Sequence, residues 1–208
     1  MPVKTDREYR RMETLEARDA DSGEKIVEGY ACTFDQEYTL SDDGRYAFLE
    51  SIDRHAFDEC DMRDVIMQYD HQGRVFARTG NGTLTLFADD HGLHMRGDLG
   101  GTEGGRQLYE EIRGGYTTKM SFGFTVKSDE ITEERDNETG KLTEHRKITR
   151  IKKLYDVSAV SLPANDATEI SARNLCDGWI KEIEEERLAI QVRQRTIQKI
   201  KIMMEVET

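Results

Sequence analysis

The sequence predicts a mainly β chain with flanking helices, an α+β chain whose strands form a meander or barrel and which ends in a long helix. Three observations carry this expectation. Apolar residues recur with period two through Val65–Leu99, Tyr116–Lys127 and Ile148–Leu162, the mark of half-buried strands. Turn residues punctuate those runs at short spacing, as in all-β meanders and barrels. Past Gly178 the chain has neither Gly nor Pro, and Ile183, Ile190, Ile197 and Met204 recur every seven residues.

In chain order, residues 1–24 are polar and charged; a first strand is expected around Met12–Arg18, with a turn at Asp21-Ser-Gly23. Lys25–Phe34 is rich in β-branched and aromatic residues and reads as a second strand. A polar loop, Ser41–Arg45, precedes an apolar stretch from Tyr46 to Ile52, and Asp53 is placed to cap a short helix through Cys60. From Val65 to Leu99 the chain reads as β structure broken by a turn at Asp89–Gly92. Gly100-Gly-Thr102 opens a helix to about Arg113, with Leu108 and Ile112 on one face, and Gly114-Gly115 closes it. A strong strand follows, Tyr116–Lys127. Residues 128–147 are charged and weakly patterned, with a hairpin turn at Asp136–Gly140, and Ile148–Leu162 is again β, stopping at Pro163-Ala-Asn165. The expected organisation is a β domain over 1–175 and an amphipathic helical extension over 176–208. The extension suits a helix packed on its own domain, an oligomer contact or a processed tail.

A hydrophobic content of 36% against 35% charged residues suffices for one compact core in 208 residues. The net charge of −12 argues against nucleic-acid binding, which uses a basic face. Cys32, Cys60 and Cys176 form no CxxC pair, so neither zinc nor a disulfide framework is expected. No apolar run approaches a membrane span, and the expectation is a soluble chain without a secretory signal.

Three segments can carry chemistry. In Lys119-Met-Ser121-Phe-Gly-Phe124, Met120, Phe122 and Phe124 point to one side of a strand and Ser121 and Gly123 to the other. The apolar set anchors Ser121, and Gly123 leaves space where a substrate backbone can approach. In Tyr69-Asp-His71-Gln-Gly73, a His at a strand end presents a ring nitrogen at a rim, suited to a general base; Asp70 points to the other face. In Leu154–Asn165, Asp156 interrupts an apolar strand, which is costly unless a His⁺ or an Arg pairs with it. Taken singly, each is equally what an ordinary strand Ser, a satisfied surface His and a solvent-facing Asp look like.

Taken together and in this order, the run from about Ile26 to Arg173 resembles the prohead (capsid maturation) proteases of tailed bacteriophages, relatives of the herpesvirus assemblins. The resemblance is carried by Gly29-Tyr-Ala with Phe34, His55-Ala-Phe57, Asp70-His71, Asp90-His-Gly-Leu93, the helix before Gly114-Gly115, Ser121-Phe-Gly-Phe124 and Asp156-Val-Ser-Ala-Val-Ser-Leu-Pro-Ala-Asn165. It implies a closed, mostly antiparallel β-barrel flanked by helices, with Ser121 as nucleophile, His71 as general base and Asp156, where the family often has Glu, as the orienting acid. It implies a serine endopeptidase that cleaves the scaffold or major capsid protein, and itself, inside the procapsid in the host cytoplasm. By resemblance to the assemblins, backbone N–H groups or an Arg would stabilise the oxyanion, and the enzyme would self-associate. It implies no cofactor, no metal and neither a nucleic-acid nor a membrane partner. Two other readings stand beside it: a non-catalytic capsid-assembly or scaffolding factor of the same fold, and an unrelated β-barrel binding module. His91 and His94 with Asp89 and Asp90 lack a fourth metal ligand and are expected on opposite faces. Cys32 and Cys60 lack a Gly-rich turn suited to a nucleophile, and His55 and His145 have no evident companions.

Overall fold

The computed structural model describes residues 7–12, 15–19 and 24–161 of the chain. Among these described residues, eleven strands and one α-helix follow one another as β1 (Arg7–Met12), β2 (Leu15–Asp19), β3 (Lys25–Thr33), β4 (Tyr38–Asp42), β5 (Tyr46–Ile52), β6 (Ile66–Tyr69), β7 (Gln72–Arg78), β8 (Leu84–Ala88), β9 (Gly92–Asp98), α1 (Glu103–Arg113), β10 (Lys119–Arg135) and β11 (Leu142–Val160). A mainly β chain is therefore observed, but the closed barrel is not. The described strands form two sheets, one in the order β1-β10-β11-β5-β4 with β6 and β7 also attached through β11, the other in the order β2-β3-β9-β8. Closure fails because β1 and β2, successive in the chain, enter different sheets. So do β7 and β8, which flank a 3₁₀ turn at Thr79–Asn81. Pairing is mostly antiparallel, except where β11 takes β5 and β6 as parallel partners. The domain boundary near residue 175 and the C-terminal helix lie outside the described residues.

The core between the sheets collects the inward positions of both. Met120, Phe122 and Phe124 are fully buried on β10, as are Leu154, Val157 and Ala159 on β11, and they meet Val27, Met67, Met95 and Leu99. Burying side chains of this size contributes about 1.5–3 kcal/mol each. The helix forms where its sequence predicts and packs its buried face into this core. Thr102 Oγ1 accepts from Gly105 N–H at 3.0 Å, Leu108, Tyr109 and Ile112 are buried, and Glu103 and Arg113 suit the helix dipole at its two ends.

Local departures from the sequence expectation share one cause, competition from the sheet for backbone hydrogen bonds. The single strand expected at Met12–Arg18 is two, because β1 pairs with β10 and β2 with β3. The loop at 41–45 is a hairpin between β4 and β5, its turn held by Asp43 Oδ1 accepting from Arg45 N–H and Tyr46 N–H, both at 2.8 Å. The helix expected from Asp53 is a run of turns. Asp53 N–H donates to Ile148 O at 2.9 Å, Ile151 N–H to Ala56 O at 2.8 Å and Asp61 N–H to Lys152 O at 3.1 Å, so the segment is spent along β11.

Residues 128–147 are not a loose charged segment either; β10 and β11 run through them as a long hairpin turning at Asp136–Lys141. Burial there alternates with period two, at Leu142, Glu144, Arg146 and Ile148. Two of the four inward positions carry charges, which hides the period from any reading based on hydropathy.

Of these two charges, Arg146 joins a buried network. Arg10 Nε and Nη2 donate to the two oxygens of the fully buried Glu50 at 2.5 and 2.8 Å, Arg146 Nη1 donates to Glu50 Oε2 at 2.9 Å, and Tyr38 OH donates to Glu50 Oε1 at 2.6 Å. Glu8 receives both guanidinium groups, and Arg146 Nε reaches Asp129 Oδ2 at 2.6 Å. Burial alone would lift the Glu8 carboxyl, but Arg146 and Arg10 hold it below its ordinary value. The network ties the N-terminal strand β1 to β5 and β11.

Candidate active site

Two of the three candidate residues lie on neighbouring strands, Ser121 on β10 and Asp156 on β11, and the third, His71, on the hairpin that leaves the adjacent strand β6. β11 is the middle one: on one side its Ser158 and Asp156 pair with Ser121 and Gly123 of β10, and on the other Asp156 to Ala159 pair with Ile66 to Tyr69 of β6. Ser121 and Asp156 thus lie diagonally on one face of the sheet, while Phe122 and Val157 anchor the two strands in the core.

His71 arrives from the end of β6 through a two-residue hairpin. Tyr69 pairs with Gln72, and the two residues between them, Asp70 and His71, both have positive φ, 49° and 58°. This is the left-handed geometry that tight hairpins require and that non-glycine residues seldom adopt. The turn is held in place by the side chain that the sequence sets aside. Asp70 Oδ1 accepts from Ser161 N–H at 3.0 Å and Oδ2 from Ser161 Oγ–H at 2.8 Å, while Asp70 N–H donates to Ala159 O at 2.9 Å. Asp70 does not orient the imidazole; it pins the hairpin to the end of β11.

The result is a continuous relay. His71 Nδ1 lies 2.5 Å from Asp156 Oδ1, and His71 Nε2 lies 2.6 Å from Ser121 Oγ. An ionised carboxylate only accepts, so Nδ1 carries the ring proton and Nε2 is left to accept from the serine hydroxyl. Asp156 is fully buried and its oxygens are shared. Oδ1 also accepts from Ser158 Oγ–H at 2.8 Å, and Oδ2 forms an ion pair with the Arg7 guanidinium of β1. Asp156 is therefore paired with both a His and an Arg. Tyr9, also on β1, sets its ring against the imidazole at 4.4 Å between centroids and 61° between planes. Burial, and then the charge of Arg7, push His71 down to about 4, against the raising influence of Asp70. The imidazole is neutral at neutral pH, the form that can take a proton.

Gly123 has a role other than admitting substrate. A Cβ at this position would sit 2.6 Å from Asp156 Oδ2, 2.8 Å from Tyr9 Cε1 and 3.0 Å from Arg7 Nε. The missing side chain makes room for Arg7 and Tyr9 against Asp156.

Arg7, Tyr9 and the hydrogen bond from Ser158 were not singled out by sequence reasoning. The available signal was the alternation Arg7-x-Tyr9, which reads as one strand face once residues 7–12 are taken as β.

The remaining candidates separate. Cys32 is fully buried and its thiol is pushed up to about 12 by burial; Cys60 is pushed up to about 11 by burial, so neither supplies a thiolate at neutral pH. His91 and His94 are not on opposite faces: both rings pack on Tyr30, at 4.5 and 5.0 Å, and Tyr30 OH donates to Asp89. His55 and His145 do have companions, Asp58 at 3.1 Å and Glu37 at 2.7 Å. Among the described residues no group of three His, Cys, Asp or Glu side chains is placed to hold a metal ion, and no helix is long and apolar enough to cross a membrane.

Serine hydroxyl, neutral imidazole and buried carboxylate in line are the geometry of the serine-dependent acyl-transfer class. More particularly, the chain belongs to the caudovirus prohead serine proteases, whose family model matches residues 12–178. Among solved structures it is similar to the capsid assembly protease gp21 of bacteriophage T4. The identity is 12%, the alignment covers 74% of this chain and 98% of that one, and the TM-score is 0.36. A comparison with curated protein sequences found no match.

Proposed function

We propose that this chain is the serine endopeptidase of capsid maturation, cutting scaffold or major capsid protein, and itself, inside the procapsid. The observation that supports this best is His71 bridging Ser121 and Asp156 through its two ring nitrogens, at 2.6 and 2.5 Å. In the proposed reaction Ser121 Oγ attacks the peptide carbonyl while His71 Nε2 takes its proton. Asp156, held by Ser158 and Arg7, keeps the Nδ1–H tautomer and stabilises the imidazolium as it forms. The imidazolium then protonates the leaving amine. Water, deprotonated by the same nitrogen, releases the acyl group and restores Ser121. In the same proposal, residues 1–175 form the catalytic unit and 176–208 a self-association or targeting segment. Deleting 176–208 is expected to lower the oligomer mass, and an unchanged mass with full activity would remove that role.

Co-expression with the neighbouring capsid protein tests the function. The wild type is expected to shorten the capsid protein or itself, and Ser121→Ala to leave both intact. Intact masses in both, inside assembled procapsids, would favour a non-catalytic assembly factor.

Gly123→Ala is expected to reduce peptide hydrolysis by about 10²-fold, because displacing Asp156 by a fraction of an ångström misaligns the relay. Hydrolysis assays beside melting curves check this; a variant as active as wild type would mean that the packing of Arg7 and Tyr9 on Asp156 is immaterial.

The pH dependence follows from the direction of the His71 shift. A His whose folded value is lowered, from 6.5 to about 4, leaves the unfolded chain binding the extra proton between those limits. Its stabilising contribution is complete above about 6.5 and is lost as pH falls through about 4. The acid limb of kcat/KM is expected nearer 4 than 6.5, and a limb at 6.5 or above would contradict the burial and charge assigned to His71.

A further inference from the structure

We propose that the N-terminal strand β1 completes the catalytic site, with Arg7 as a positioning residue that acts through Asp156 on His71 and Tyr9 as the packing surface for the imidazole. This rests on the reading of Ser121, His71 and Asp156 as catalytic and goes beyond it, because Arg7 and Tyr9 lie before the residues 12–178 that match the family model.

Four observations carry it. Arg7 supplies the counter-charge to an acid with no solvent exposure, on the oxygen opposite the one that faces His71. Arg7 is itself held by aromatic faces, with its guanidinium carbon 4.5 Å from the Tyr155 ring centroid and 5.2 Å from that of Tyr9. The absence of a side chain at Gly123 opens the space that Arg7 and Tyr9 occupy. The other face of β1 is fixed by Arg10 and Glu8 in the buried network with Glu50 and Arg146. The strand is thus locked from one side and delivers Arg7 and Tyr9 from the other.

Among the described residues, the charged and polar groups facing His71 are few. Arg7 and Tyr9 come from β1, Ser121 from β10, Asp156 and Ser158 from β11 and Asp70 from its own hairpin. Asp156 alone would favour the imidazolium. Arg7 offsets that charge, so the carboxylate orients the ring without protonating it. Removing Arg7 therefore leaves Asp156 free to pull a proton onto His71.

The test uses the full chain as wild type, Arg7→Gln and Arg7→Lys. The first readout is the imidazole titration of His71 by nuclear magnetic resonance, which does not depend on activity. The second is the rate of Ser121 labelling by a fluorophosphonate between pH 5 and 8. The expected result is a His71 midpoint raised by about one to three units in Arg7→Gln and largely restored in Arg7→Lys. The wild-type-to-Gln ratio of labelling rates is expected to grow as pH falls. An unmoved midpoint, or a labelling loss equal at every pH, would overturn the inference and leave Arg7 a structural residue. A shifted midpoint in a chain whose Ser121 is never labelled would support the coupling of Arg7 to His71 and count against the peptidase reading instead. If Arg7→Gln does not fold, Arg7→Met takes its place under the same readouts: a raised His71 midpoint supports the inference, and an unmoved one overturns it.

Discussion

Replacement of Asp156 by Asn is expected to lower kcat/KM by about 10⁴-fold while leaving the fold in place. The carboxylate is buried, accepts from His71 Nδ1 and Ser158 Oγ, and pairs with Arg7. An amide of the same shape fills the space but offers its NH₂ group or its oxygen where two acceptor oxygens stood. Turned with its NH₂ towards His71, it selects the tautomer protonated on Nε2. That nitrogen can then no longer accept the Ser121 proton across the 2.6 Å contact. The loss should fall on kcat, since Asp156 is fully buried and offers no surface to a substrate. Steady-state kinetics on a capsid-protein peptide, with circular dichroism to show an intact fold, check this. A loss below tenfold would mean that Asp156 does not orient the base.

The second large effect concerns stability. Glu50→Gln is expected to destabilise the protein by about 3–5 kcal/mol, because one neutralisation leaves Arg10 and Arg146 buried without their shared carboxylate. For a chain of this length that lowers the melting temperature by roughly 6–20 °C. Asp64→Asn is the control. It breaks the ion pair with Arg78, whose side chains are 50% and 47% exposed, and it should leave the melting temperature nearly unchanged. Equal shifts in the two variants would show that burial of the Glu50 network contributes nothing particular. The network also carries β1, so Glu50→Gln should weaken the relay through Arg7 as well as the fold.

How far the sequence could be read depended on whether its signals were apolar. Met120, Phe122 and Phe124 alternate with Ser121 and Gly123, and that alternation placed the serine on the strand face opposite the apolar set, where it lies buried against His71. Thr102, Leu108, Ile112 and Gly115 marked α1 because capping and 3.6-residue periodicity are local properties. Asp156 stood out because a carboxylate in an apolar strand needs a partner, and its partners are His71 and Arg7.

What the sequence hid was of two kinds. Strand faces built from charges, Glu8 and Arg10 on β1 or Glu144 and Arg146 on β11, have no hydropathy period and read as loose polar segments. Long-range pairings leave no local trace. Arg7 meets Asp156 across 149 residues, and residues 53–61 abandon a helix for β11 some 90 residues on. The closed barrel was what the family resemblance implied; turn spacing suggested only a meander or barrel, and neither says that consecutive strands enter different sheets.

The account turns on Ser121 being an activated nucleophile, and one measurement addresses that directly. The purified full-length chain is incubated with a fluorophosphonate at pH 7.5, and its intact mass and modified peptide are read for wild type, Ser121→Ala and His71→Ala. The expected result is one adduct per chain on Ser121 in the wild type and none in either variant. An unlabelled wild type in assembled procapsids, or an adduct that persists in His71→Ala, would contradict it.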